Sequence, residues 1–250
     1  MKDDYADVFQ QTDAVTKYDD VVYAEDSYAA QINRRQRQWL RTLVTAEFGP
    51  GQVTQHDFAC GTGRALESLA GTVRSAHGYD TSAAMLERAL TKGIDAQFHL
   101  IGADGAPPEP VQADGPSIVT VFRLFLNTGT AVRDRALAFA ASALPAPGSG
   151  LLVVENHGNR RSLRHLGRRR RRRSDEWFNE LSTAQVADLF ARFGFTLKSM
   201  HGFAVLPKGA YRPRRLRRVA AAIDDVASRL PFLAAVSTNV VYVGRRRQVS

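Results

Sequence analysis

The sequence predicts an α/β fold: a seven-stranded, mostly parallel sheet with helices on both faces. Three observations carry this. Strand and helix signals alternate from Val53 to Glu155. A Gly-Thr-Gly turn sits between the first of those strands and its helix. A chain of 250 residues, 44% hydrophobic, is long enough to bury one large core. Alternation of this kind implies parallel strands with helices packed above and below.

The elements follow in order. Residues 1–17 are polar. From Asp26 to Phe48, residues Tyr28, Ile32, Trp39, Leu40, Leu43 and Val44 recur three and four apart, the period of an amphipathic helix. "FGPGQ" stops it. A strand at Val53–Ala59 leads to a helix at Arg64–Ala70. A strand at Ser75–Tyr79 leads to a helix at Ser82–Thr91, with Ser82 as N-cap and Lys92-Gly93 as its stop. A strand at Ala96–Ile101 runs into the Pro-rich "GAPPEP". A strand at Ser117–Phe122 leads to a helix at Val132–Leu144, then a strand at Leu151–Glu155. A helix at Thr183–Phe193 and strands at Phe195–Val205 and Asn239–Val243 close the sheet, with a helix at Arg214–Arg229 inserted between those strands. We read one domain over 1–250: an N-terminal helical lid (1–48), a ligand-binding core (49–206), a helical insertion (207–237), and a last strand with its tail (238–250).

Composition narrows the function. The single cysteine, Cys60, excludes a disulfide framework and a cysteine-rich zinc site, and no metal site is expected. No apolar run is long enough to span a bilayer, so no membrane partner is expected. The start, Met1 to Asp7, is acidic and polar and lacks a signal peptide's features, which makes the cytoplasm the expected compartment. The net charge of +9 invites a nucleic-acid reading. The cations, however, are nearly all arginine in an alanine-rich chain, as a GC-rich coding sequence produces. The excess also concentrates at Arg160–Arg173 and Arg212–Arg218.

The glycine turn holds the chemical signal. Gly61 and Gly63 allow a sharp turn and close backbone approach to a ligand. A dinucleotide loop reads G-x-G-x-x-G, but Leu66 occupies the third position. A P-loop needs Lys-Ser/Thr, but Arg64-Ala65 stands there. Both phosphate readings weaken. Asp57 lies in the preceding strand, and an acid there needs a cation or backbone amides to satisfy it. Asp80 ends the next strand, about 20 residues on, where an acid suits ribose hydroxyls. A cofactor with an amino-acid end and a ribose fits both acids. A pyrophosphate would be repelled by Asp57.

With these residues, "DFACGTGR", "GYDTSAAMLERA" (Gly78–Ala89) and "IGADG" (Ile101–Gly105), the sequence resembles the class I S-adenosylmethionine-dependent methyltransferases, a Rossmann-like fold, over Val53 to Glu155. The resemblance implies that S-adenosylmethionine is the cofactor and S-adenosylhomocysteine the product. It implies that Asp57 and Gly61 to Gly63 cradle the methionine part and that Asp80 takes the ribose hydroxyls, with Cys60 and Thr81 beside them as further candidate cofactor contacts. Met85 would pack by the adenine and Asp104, flanked by Ala103 and Gly105, would read its amino group. Phe122 and Arg123 follow the fourth strand at the same edge. Ala59 stands where the family more often has glycine, a change of one methyl group that should be tolerated. Tyr18 and Tyr23 resemble the lid tyrosines of small-molecule members, and Arg34 is a candidate partner for the cofactor carboxylate; the alternative for this segment is an amphipathic helix packed on the sheet.

The acceptor is harder to read, because the sulfonium is already activated and needs alignment more than a base. "FRLFLNT" lacks the Asn/Asp-Pro-Pro-aromatic motif of enzymes that methylate nucleobase amino groups. His157, in "ENHGNR" after the fifth strand, is the candidate base, with a scaffold role as the alternative. Asn127, Asn159 and Tyr211 are candidate substrate contacts at the strand ends and the insertion. The favoured activity is methyl transfer to oxygen or nitrogen of a small metabolite, anionic or carrier-bound, in natural-product biosynthesis. The rival is an RNA methyltransferase that holds phosphates with the arginine runs, Arg168 to Arg173 foremost. It ranks second because no RNA-binding module accompanies them. A third reading, a binder that lost its chemistry, conflicts with intact Asp57, Gly61, Gly63 and Asp80. In "RPRRLRR" the arginines are expected on the solvated face of the inserted helix. The oligomeric state is not legible.

Overall fold

A computed structural model describes residues 27–163, 180–213 and 215–248. The first helix, α1 (Tyr28–Phe48), starts where the Ser27 hydroxyl accepts from the Ala30 amide, and ends at Gly49 with a positive φ of 79°. Ile32, Gln36, Leu40 and Val44, four apart, form its buried stripe. That stripe packs against Ile118, Val153 and Val241 on one face of the sheet. This helix is scaffold. The segment expected to cover the cofactor, with Tyr18 and Tyr23, lies outside the described residues.

The sheet comprises β1 (Thr54–Phe58), β2 (Ser75–Asp80), β3 (Gln97–Leu100), β4 (Ser117–Val121), β5 (Gly150–Asn156), β6 (Phe195–Ala204) and β7 (Asn239–Arg246). Their order is β3-β2-β1-β4-β5-β7-β6. Only β7 runs against its neighbours, as the mostly parallel expectation requires. The central strands alternate cleanly. Val119, Val121, Leu152, Val154 and Tyr242 point into one core, while Ile118, Leu151, Val153, Val241 and Val243 point into the other. Helices α4 (Thr130–Ala143) and α5 (Thr183–Arg192) cover the first face. Ser182 and Gln185 form a capping box at the start of α5. Helices α2 (Arg64–Leu69) and α3 (Ala83–Thr91) flank β1 and β2, and Ser82 caps α3 as expected, accepting from the Met85 amide. The inserted helix, α6, is shorter than expected, Arg217–Ala227.

β1 is unusual. All five residues are buried, yet four are polar. Gln55 donates to the Thr120 hydroxyl (3.2 Å), which donates in turn to Asp57 (2.6 Å). His56 lies 3.3 Å from the Tyr79 hydroxyl and stacks on His77, which lies 3.4 Å from His99. These three imidazoles run across β1, β2 and β3. Burial, with the neighbouring imidazoles, pushes His56 down to about 4, and burial also lowers His77 and His99. A depressed histidine is neutral in the fold but gains a proton on unfolding. The contribution of these histidines to stability is therefore complete above pH 6.5 and falls as pH drops toward 4. For His56 alone the loss is about 3 kcal/mol. Because Asp57 titrates in the opposite sense over the same range, the test is the difference between chains: the urea midpoint of the unsubstituted chain should fall relative to that of His56→Phe as pH drops from 7 to 4.

Candidate functional site

The sheet order reverses between β1 and β4, and there the connections leave to opposite faces and open a crevice at the strand ends. The structure has a cavity of about 430 Å³ at that place, a size suited to a small cofactor. Its walls come from β1 and the glycine loop, the ends of β2 and β4, the 101–104 segment and the start of α4.

The loop is fixed from three sides. Gly61 and Gly63 adopt φ of 54° and 81°, so both need glycine's left-handed freedom. Asp80 accepts from the Gly61 amide at 2.7 Å and from the Ser82 amide at 2.9 Å. Lys92 reaches back from the end of α3 to the Thr62 carbonyl (3.1 Å) and hydroxyl (2.9 Å). The Leu66 substitution has a structural counterpart. A Cβ on Gly78 of β2 would stand 2.9 Å from Leu66 and from Cys60 Sγ. The room that a third loop glycine gives a dinucleotide fold is thus provided here on the facing strand. Gly78→Ala should destabilise the chain by about 1–3 kcal/mol through overpacking, read as a lower urea midpoint with an unchanged slope. Ala59 is a correction to the single-methyl reading: its φ is 57°, so that methyl group holds the backbone in a conformation costing about 1–2 kcal/mol.

Most of the expected cofactor residues converge. Asp57, Ala59, Cys60, Gly61, Asp80, Thr81, Met85, Ala103, Asp104, Phe122 and Arg123 all line the cavity. Burial drives the Asp57 carboxyl up to about 7, against the Thr120 bond and the Arg64 charge. Burial also raises Asp80, opposed by its bonds to backbone amides. The Cys60 thiol is buried and pushed far up, so it is a packing group and not a nucleophile.

Other expectations do not hold. Gly63 shapes the loop without lining the cavity, and Gly105 and Arg34 are exposed away from it. Asn127 donates to the Arg123 carbonyl (2.9 Å). Asn159 donates to the Ala235 and Ser237 carbonyls (2.9 and 2.8 Å). Tyr211 donates to Asp224 at 2.6 Å. All three are buried and tie loops together, which removes them as substrate contacts. His157 is half-buried and outside the cavity lining. Arg168 to Arg173 lie outside the described residues.

The sequence reading missed a buried polar knot beside the cavity. Glu155, fully buried at the end of β5, accepts four bonds. They come from Gln36 of α1 (2.8 Å), Asn239 of β7 (2.7 Å), Arg64 of α2 (2.7 Å) and the Arg123 amide (3.0 Å). Arg64 also donates to Gln36 (2.8 Å) and lies over the Phe122 ring. Burial works against ionisation, but the charges of Arg64, His157 and Arg123, with the Gln36 bond, outweigh it and hold Glu155 well below the usual carboxylate range. Arg64 and Arg123 both line the cavity, and Arg34, the expected carboxylate partner, does not. The available signal was a glutamate ending an apolar strand, "LLVVEN".

No protein-family model and no curated protein matches the sequence. Solved structures do resemble the fold. The magnesium protoporphyrin IX methyltransferase ChlM of Synechocystis PCC 6803, with bound SAH, superposes with a TM-score of 0.55 at 12% identity, over 87% of this chain and 84% of that one. The chain has the class I methyltransferase fold. Two further structures with this fold cover nearly all of both chains. The DhpI–SAH complex gives a TM-score of 0.55 at 14% identity, over 97% of this chain and 98% of that one. An S-adenosylmethionine-dependent methyltransferase of Clostridium acetobutylicum gives 0.54 at 11%, over 92% and 96%. At these identities the likeness concerns the fold. Function rests on the residues in the cavity.

Proposed function

We propose that this chain is an S-adenosylmethionine-dependent methyltransferase acting on oxygen or nitrogen of a small metabolite. The observation that carries this is the pair of buried acids, Asp57 and Asp80, at the walls of one cavity with no phosphate-binding lysine in its loop. The cofactor, when bound, supplies a methyl group already activated on sulfur. Asp57 is positioned for its ammonium, Arg64 and Arg123 for its carboxylate, and Asp80 for the ribose hydroxyls. Met85, Ile101 and Leu124 give apolar walls to the adenine, and Asp104 is at hand for its amino group. The chain's task is then to align the acceptor and exclude water. The reading favours a small acceptor because the cavity is a crevice of about 430 Å³ and the basic run of the sequence is not interleaved with aromatics.

Asp57 gives this reading a pH test. Without ligand it keeps its proton to about pH 7, so the chain loses stability through this group as pH climbs from about 4 to 7. Pairing with an ammonium requires the ionised form. Affinity for S-adenosylhomocysteine should therefore rise about tenfold between pH 6 and pH 8, measured by calorimetry. Asp57→Asn should weaken binding and flatten the profile. A flat profile in the unsubstituted chain would remove Asp57 from the ammonium site.

A further inference from the structure

The inserted helix exposes arginines as expected, but it exposes large apolar residues beside them. Small or tied residues face inward: Ala220 and Ala227 are buried, and Asp224 accepts from the Val205 and Leu206 amides (2.9 and 3.0 Å) and from Tyr211. Asp225 is held by Arg35 of α1. With that face fixed, the large apolar residues must point outward. Leu216, Val219, Ile223 and Val226 are 55%, 55%, 49% and 61% exposed, and the stripe continues through Leu230 to Phe232 at 71%. Arg212, Arg215, Arg218 and Arg229 are exposed around it. Isolated exposed apolar groups need no explanation, but a contiguous outward stripe marks an interaction surface.

The 3-4-3-4 spacing of 216, 219, 223, 226 and 230 would by itself suit a partner helix. Charge argues against a second copy. Antiparallel pairing about Ile223 sets Arg229 of one copy against Arg217 and Arg218 of the other, and parallel pairing sets like against like throughout. The seam is also only about 20 Å long, too short to approach the ~1,200 Å² of a stable interface. An anionic lipid surface meets both features: it takes the apolar stripe into the acyl boundary and the arginines among its phosphates.

We propose that α6 and Phe232 dock this protein on an anionic membrane surface, with the helix lying in the interface. No helix among the described residues is long and apolar enough to cross a membrane, so the contact is peripheral. Asp224 fastens α6 to the chain just past the carboxyl end of β6, at the edge that holds the cavity. A docked chain therefore carries that edge beside the lipid. This surface is separate from the cavity and does not depend on what the cavity binds.

The test is co-sedimentation of the full chain with vesicles of phosphatidylcholine and phosphatidylglycerol, against pure phosphatidylcholine. Binding is expected to the anionic vesicles, weaker to the neutral ones. The double variant Ile223→Asp, Val226→Asp changes exposed positions, so its melting curve should match the unsubstituted chain. Its partition should fall at least about tenfold, given what each buried aliphatic contributes. Arg215→Gln with Arg218→Gln and Arg229→Gln should remove most of the preference for anionic lipid. Absence of binding overturns the proposal. So does binding unchanged in the aspartate variant, which would assign it to the other arginine run. So does a concentration-dependent dimer, abolished by that variant, without vesicle binding.

Discussion

Asp80→Ala is expected to weaken S-adenosylhomocysteine binding by at least about 100-fold. Two effects combine. The carboxylate is the group we propose for the ribose hydroxyls, and hydrogen bonds to an ionised group contribute about 1.5–3 kcal/mol each. The same carboxylate fixes the glycine loop, accepting from the Gly61 and Ser82 amides. Removing it leaves two backbone donors at the cavity wall without their acceptor. Asp80→Asn separates the effects. An amide keeps one acceptor for the loop but loses the charge, so its melting temperature should stay near that of the unsubstituted chain while affinity still drops tenfold or more. Calorimetry with a parallel thermal melt reads both. An Asp80→Ala chain that binds normally would remove the ribose assignment.

Glu155→Ala is expected to cost about 3–5 kcal/mol, a large share of the roughly 5–15 kcal/mol of an ordinary domain. Glu155 is fully buried and joins four elements: α1 through Gln36, α2 through Arg64, β7 through Asn239, and the β4 exit through Arg123. Without the carboxylate, the largely buried Arg64 guanidinium loses its ion-pair partner. Glu155→Gln keeps the shape and part of the bonding, so it should cost less than the alanine variant. Urea unfolding of the three chains gives that ordering. An alanine variant as stable as the parent would mean the knot contributes nothing net.

Local grammar was legible from the sequence. The alternation of strand and helix, the Ser82 cap and the acids flanking a Gly-Thr-Gly turn are short-range patterns, and each reappears in the structure with small boundary shifts. Long-range closure was not. The Glu155 knot joins positions 36, 64, 123, 155 and 239, which no periodicity connects. Asn127 and Asn159 looked like loop-borne contacts because sequence does not show which polar groups are used up in holding the loops. The outward stripe of the inserted helix went unread for a related reason. Its apolar period was visible, and such a stripe ordinarily faces the core. Here Ala220, Asp224 and Ala227 take the inward face, so the stripe is turned out.

The central claim is that the crevice between β1 and β4 is a seat for S-adenosylmethionine, and titration calorimetry of the full chain with S-adenosylhomocysteine at pH 8 tests it most directly. The account predicts one site per chain, binding that weakens at pH 6 and collapses in Asp80→Ala. A folded chain that takes up no S-adenosylhomocysteine at pH 8 would contradict it.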